Sequence, residues 1–447
     1  MAPTLSRRQL LGLGGGAAAA LALSACGGGS SSGGSGGSGG TNLTWQMWSA
    51  STAEVDAWKK VADIAGKASG STIAFQTAAW NDYWTKLTSQ AASGQTADIV
   101  SVQSLRAPQF AQLFTDLTPK LSEMGVTESD FDSSILDALK VDGKLLALPY
   151  DFGPLVVFYN KTAFEQAGLA LPAIGWTQDD FLAAAKKLTS GNTYGFFAGA
   201  VPDSIIPWAM SQHGVQAVTS DGKLDIDNDQ WRDTLNWYRS LVVTEKVASP
   251  LPAAGSQAAA TNQFLAGNAA MNIDGPWSLI NAKATAKFEV GIAPMPVGGS
   301  GSKTVTAGSG FGVSAKAKNQ DLAAKATAGL VNVESETYLG QSGRAFPART
   351  AQQSAWYEGN KLQDAQEVMD AMIKAAEGYR TTAKWTQVNN EWNKYARSLL
   401  QRRLRRRLLH QAGDGAGLTG LTEQLPRCHG PRRSHGADRR RPRHRCH

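Results

Sequence analysis

Residues 42–103 read NLTWQMWSASTAEVDAWKKVADIAGKASGSTIAFQTAAWNDYWTKLTSQAASGQTADIVSVQ, and their periodicity sets the fold class. Leu43–Trp48 alternates apolar and polar residues as a strand does, and Ala53–Ala68 continues with helical spacing. Thr72–Gln76 predicts a second strand, Asp82–Ser93 a helix stopped by Gly94, and Asp98–Val102 a third, buried strand. Short strands alternating with helices of this length predict an α/β fold with parallel sheets and ligands at the strand ends.

Downstream, the pattern predicts strands at Leu155–Tyr159, Ala269–Ile273, Phe288–Ile292 and Phe311–Ser314. Helices are expected over Thr177–Leu188, Gln230–Val242 and Trp385–Leu400. Pro294–Gly310 holds seven Gly or Pro residues and reads as a crossing between lobes.

The two ends of the 447-residue chain differ from this body. Arg7 and Arg8 precede the apolar run Leu10–Leu23, which is too short for a stable bilayer anchor and reads as an export signal over 1–25. The run ends at Leu23-Ser24-Ala25-Cys26, which resembles a bacterial lipobox whose thiol, on Cys26, takes a diacylglycerol. The arginine pair also resembles a twin-arginine signal, so the export route stays open between that and the general secretory one. Residues 27–40 are all Gly and Ser, a flexible leash reaching about 20 Å. The expected location is therefore the outer face of the cytoplasmic membrane, extracellular or periplasmic, with the lipid on Cys26 as the membrane contact.

The formal net charge of +7 invites a nucleic-acid reading, but the charge sits at the ends. Residues 401–447 carry 13 Arg against Asp414, Glu423 and Asp438, while the body is mildly acidic. This tail lacks Phe, Trp, Tyr, Ile, Val and Lys and can form no core. Its abrupt start inside a helical pattern is what a reading-frame shift in a GC-rich gene would produce. A basic tail on acidic lipid is one other reading. Another is a metal site at Cys428, His429, Cys446 and His447, whose spacing matches no zinc pattern. No function is assigned to it, and no nucleic-acid partner is expected.

The body also carries a family resemblance, over about residues 42–398. It lies in an ordered series: Ala79-Trp80-Asn81-Asp82-Tyr83-Trp84, Ala97-Asp98-Ile99-Val100, Leu148-Pro149-Tyr150-Asp151, Val157-Phe158-Tyr159-Asn160-Lys161, Met271-Asn272-Ile273-Asp274-Gly275-Pro276-Trp277 and Gly308-Ser309-Gly310-Phe311-Gly312-Val313. Together these resemble the carbohydrate-binding solute receptors of bacterial ABC importers, related to maltose-binding proteins. The resemblance implies a two-lobed periplasmic-binding-protein-like fold with hinge-crossing strands and an interlobe ligand cleft. Lobe one is expected over 42–154 plus 298–331, and lobe two over 155–297 plus 332–400. It also implies a small carbohydrate ligand, the transmembrane subunits of a permease as partner, a monomer, and no cofactor or metal.

A sugar offers planar arrays of hydroxyls and two faces of C–H groups, so its site needs aromatic faces and forked polar groups. The chain has 13 Trp. Trp58, Trp84, Trp231, Trp237 and Trp392 lie in helical patterns and read as core. Trp48 and Trp80 stand at strand or helix ends as stacking candidates, with Trp208 and Trp385 as further ones. Trp277 is taken as a stacking residue because the resembling family uses an aromatic at this turn. Asn81 and Asp82 follow Trp80, and Asp82 reads equally well as a helix cap. Gln103 and Arg106 follow the third strand; Tyr150 and Asp151 lie at the expected crossing. Phe311 could pack at the hinge or meet the sugar, and Arg344 could pair across the cleft.

Catalysis finds little support. The body has one histidine, His213, beside Gly214 at an expected helix end, and no cysteine after Cys26. There is no P-loop and no dinucleotide fingerprint after the first strand. A secreted glycosidase using Asp82 and Asp151 remains the enzyme alternative, and a peptide or polyol phosphate the alternative ligand.

Overall fold

The computed structural model describes residues 41–249 and 259–401. The expected signal, Cys26, the Gly/Ser leash and all but the first residue of the Arg-rich tail lie outside the described residues.

The strands, in chain order, are β1 (Asn42–Trp48), β2 (Thr72–Ala78), β3 (Ile99–Gln103), β4 (Lys140–Val141), β5 (Lys144–Leu145), β6 (Leu148–Pro154), β7 (Val156–Asn160), β8 (Met271–Asp274), β9 (Val290–Ala293), β10 (Thr304–Val313) and β11 (Ala376–Gly378). Two helices join the first three strands: α1 (Thr52–Ser69) and α2 (Trp80–Ser93), as the periodicity requires. Ser51 caps α1 by accepting from Glu54 N, and Gly70 and Gly94 end the two helices in the left-handed region.

Six strands form one sheet, ordered β11-β10-β3-β1-β2, with β6 on the other edge of β10. β1 runs parallel to β2 and β3, whereas β10 is antiparallel to β3 and β6. A second sheet, β8-β7-β9, is antiparallel throughout. The chain passes between the sheets at β6→β7, through Leu155 alone, and again at β9→β10. The crossings are tied together: Leu155 N donates to Val305 O at 3.0 Å, and Thr304 Oγ1 donates to Leu155 O at 2.7 Å. These are the hinge-crossing strands of a two-lobed fold.

β10 extends well into the Gly- and Pro-rich stretch Pro294–Gly310 that reads as a crossing between lobes. Its glycines are there for close approach and not for turns. A Cβ on Gly308 would stand 2.2 Å from Asp151 O, and one on Gly312 would stand 2.4 Å from Leu146 O. Glycine count is a poor strand-breaker signal where two backbones press together. The stretch 332–400 also divides differently from the expectation. The helix Val333–Ser342 packs against α1, and β11 joins the six-stranded sheet, so both sit with the first sheet.

The core of the six-stranded sheet is aromatic. Phe311 lies flat on Tyr150, with centroids 4.5 Å apart and planes 8° apart, and edge-on to Trp45 and Trp58. Trp45 donates its indole N–H to Ser101 Oγ at 3.0 Å, so its one polar atom is satisfied. Phe311→Ala should therefore cost about 3–5 kcal/mol of unfolding free energy, read from urea denaturation. A loss below about 1 kcal/mol would show that the cluster is not the keystone of this sheet.

Candidate functional site

A cavity of about 610 Å³ opens between the two sheets. One side comes from the ends of β1 and β3, the starts of α1 and α2, and the middle of β6 and β10. The other comes from the start of the helix Pro202–His213, the helix Ala259–Leu265, the end of β8 and the turn after it. Parallel strands deliver their C-terminal ends to a common crevice, which is why β1 and β3 contribute.

Nine of the expected residues line it: Trp48, Trp80, Asn81, Asp82, Gln103, Tyr150, Asp151, Trp277 and Arg344. Trp48 is buried in an aromatic box, edge-on to Trp80 at 5.1 Å and to Tyr83 at 5.2 Å. Asp82 does not cap its helix. It stands inside the first turn of α2, whose cap position is Ala79, and its exposed side chain faces the cavity. Trp277 is half-buried, in the turn Pro276–Ser278 after β8. A Cβ on Gly275 would lie 2.3 Å from the indole, so the glycine lets the ring fold back over the chain.

Arg344 and Asp151 form the buried electrostatic centre. Arg344 Nη1 stands 3.6 Å from Asp151 Oδ2, and its Nη2 donates to Tyr150 OH at 3.4 Å. The guanidinium carbon lies 4.4 Å from the Trp58 ring centroid. Burial pushes the Asp151 carboxyl up to about 7, although Arg344 and Ser309 pull the other way.

Two expected residues do not reach the cavity. Phe311 belongs to the sheet core. Arg106 is buried behind the wall, with its guanidinium carbon 4.5 Å from the Trp84 centroid and 5.1 Å from that of Trp80, and it donates to Gln103. Burial pushes its pKa down to about 10. Trp208 and Trp385, the further stacking candidates, are core residues: Trp208 packs on Phe181, Phe196 and Trp237, and Trp385 on Tyr379. His213 ends its helix before Gly214.

The sequence reading missed Glu54, Asp203, Asp274 and Asn281. Glu54 accepts from Ala50 N and from Asn281 Nδ2, both at 2.8 Å, joining α1 to the helix Leu279–Thr285. Glu54 stands in the first turn of α1 as Asp82 does in that of α2, so the helix-start position that marked Asp82 would also have found it. Asn281 lies four residues after Trp277, one helical turn on. Asp203 accepts from Tyr379 OH at 2.8 Å, a partner 176 residues away that no local pattern announces. Asp274 accepts from Thr261 Oγ1 and from Gly275 N, each at 2.8 Å. Burial raises the pKa of both Asp203 and Asp274. Among the described residues no group of His, Cys, Asp and Glu could hold a metal ion, and no helix is long and apolar enough to cross a membrane.

The raised carboxyls make stability depend on pH. A folded state that keeps a proton on Asp151 up to about pH 7, where the unfolded chain loses it near 4, binds more protons over that interval. Stability from this group is complete below the unfolded value and is lost as pH rises through the folded one. Urea unfolding should therefore show stability falling from pH 5 to pH 8, and Asp151→Asn should flatten that slope. A slope that rises with pH, or one unchanged in the variant, would contradict this.

Comparison with known proteins places this geometry. The model of the family of bacterial extracellular solute-binding proteins matches residues 60–370. A binding protein of Brucella abortus is 24% identical over 240 residues, which is 52% of this chain and 58% of that relative. The arabinooligosaccharide-binding protein of Halalkalibacterium halodurans is 25% identical over 179 residues, 39% of each chain. An ABC substrate-binding protein of Listeria monocytogenes, solved in complex with cycloalternan, superposes with a TM-score of 0.75 at 22% identity, covering 85% of this chain and 98% of that one. The GacH receptor of Streptomyces glaucescens, solved unliganded and with acarbose, gives a TM-score of 0.72 at 19% identity, covering 84% and 97%. The fold is thus the two-lobed one of the maltose-binding proteins, and the chain belongs to the family of bacterial extracellular solute-binding proteins.

Proposed function

We propose that this chain is a lipid-anchored extracytoplasmic receptor that captures an oligosaccharide, closes around it and delivers it to the permease of an ABC importer. The observation that carries the reading is the lining of the cavity. Trp48 and Trp80 come from the first sheet's side and Trp277 from the second, and carboxylates and amides stand among them. Aromatic faces suit the C–H faces of a pyranose, and Asp82, Asp151, Asp203 and Asp274 suit its hydroxyls. The named ligands of several relatives are saccharides, which supports the same class.

Binding of this kind draws contacts from both lobes, so the ligand favours the closed arrangement by its extra affinity for it. Micromolar affinity, about −8 kcal/mol, is sufficient and leaves release possible. The lipid on Cys26 and the leash after it would hold a monomeric receptor beside the permease.

The carrying experiment is thermal unfolding of the purified protein against a panel of mono- and oligosaccharides. A sugar at a hundredfold excess over Kd adds about 2.7 kcal/mol to stability. The sugar should be recovered chemically unchanged; hydrolysis would move the protein to the glycosidases, and no shift with any saccharide would sink the receptor reading. With the sugar in hand, Trp277→Ala should weaken binding by about 1–3 kcal/mol in calorimetry while the unfolding transition stays cooperative. Unchanged affinity would remove Trp277 from the site.

A further inference from the structure

A second, smaller cavity of about 180 Å³ lies beside the main one, and Ala307 of β10 lines both. Its wall carries the hydroxyls of Ser104, Ser134, Thr306 and Thr381. Thr306 Oγ1 is buried there with no hydrogen-bond partner among the described residues. This volume is below the roughly 300–1,000 Å³ of a self-sufficient small-molecule site. It adjoins the larger space at Ala307.

Hydrogen bonds tie the two linings together, and one of them, Gly308 N donating to Ser104 Oγ at 3.4 Å, starts from β10. Asp203 lines the main cavity and Tyr379 lines the small one, and the Tyr379 hydroxyl donates to Asp203 at 2.8 Å. Tyr379 is held firmly. Its backbone N–H donates to Thr306 O at 3.0 Å, and its ring meets Trp385 edge-on at 5.8 Å. The residues on either side of it are both bound by Gln216, which donates to Gly378 O at 3.0 Å and accepts from Arg380 N at 2.8 Å. Arg106, absent from the main cavity's lining, places its positive charge where both Asp203 and Tyr379 feel it.

We propose that the Tyr379–Asp203 pair is the end wall of the saccharide site and sets how many sugar units it accepts, with the smaller cavity as the subsite that the wall closes off. The inference rests on the saccharide reading above. A ligand chain growing past Ala307 meets the tyrosine ring and hydroxyl. Admitting one more unit requires breaking a part-buried hydrogen bond and displacing a pinned ring, and such a steric and polar barrier discriminates by length.

The test uses the purified full chain and the homologous series of whichever saccharide the thermal panel selects, from two to six units. Tyr379→Ala joins the two cavities. The ratio of affinities, for the chain one unit longer than the unsubstituted protein's optimum against that optimum, should rise about tenfold or more in calorimetry. Tyr379→Phe keeps the ring and loses only the bond to Asp203, so this ratio should move far less than in the alanine variant. If the alanine variant does not unfold cooperatively, Tyr379→Leu, which shortens the wall but keeps apolar packing, carries the same expectation. An equal change for every length overturns the end wall while leaving the receptor reading standing. A failure of every saccharide to stabilise the unsubstituted protein overturns both.

Discussion

Everything in the molecule leans on the contact between β6 and β10. Gly308 and Gly312 have no room for a Cβ against the backbone carbonyls of Asp151 and Leu146. That closeness stacks Phe311 on Tyr150 and fixes the antiparallel pairing of Ser309 with Asp151. One pairing thus sets the aromatic core of the first sheet and also the depth of the Asp151 carboxyl in the cavity. The same two strands lead directly into the crossings, where Leu155 is bonded through both its N–H and its C=O to β10. Core, cavity wall and crossing are consequently one piece of backbone.

The site's electrostatics follow from that depth. Asp151, Asp203 and Asp274 are all pushed upward because burial penalises the carboxylate more than their donors reward it. Asp151, pushed up to about 7, can both donate to and accept from a hydroxyl. Arg344 balances Asp151 without being free to meet an anion in full, because Tyr150 and the face of Trp58 share its guanidinium. Arg106 plays its part from behind the wall, stacked on Trp80 and Trp84, by supporting the side of the cavity where Asp203 and Tyr379 meet.

The sequence by itself determined the alternation of strands and helices from Asn42 to Gln103, because apolar periodicity is a local property that burial on one face imposes. It also marked cavity residues at strand ends and helix starts, Trp48, Asp82 and Gln103 among them, since the C-terminal edge of a parallel sheet is where side chains converge on a ligand. What it could not determine was direction and distance. A linear reading left Phe311 and Trp208 as candidates beside Trp277; the packing shows that the first two are surrounded by other rings while Trp277 turns back over Gly275 and lines the cavity. Likewise the glycines of β10 resemble turn residues until β6 is laid against them. Asp203 and Asn281 are held at the cavity by partners 176 and 227 residues away. Contacts at that separation are chosen by how the two sheets close on one another, which depends on the summed packing of both lobes and leaves no trace in any short stretch of chain.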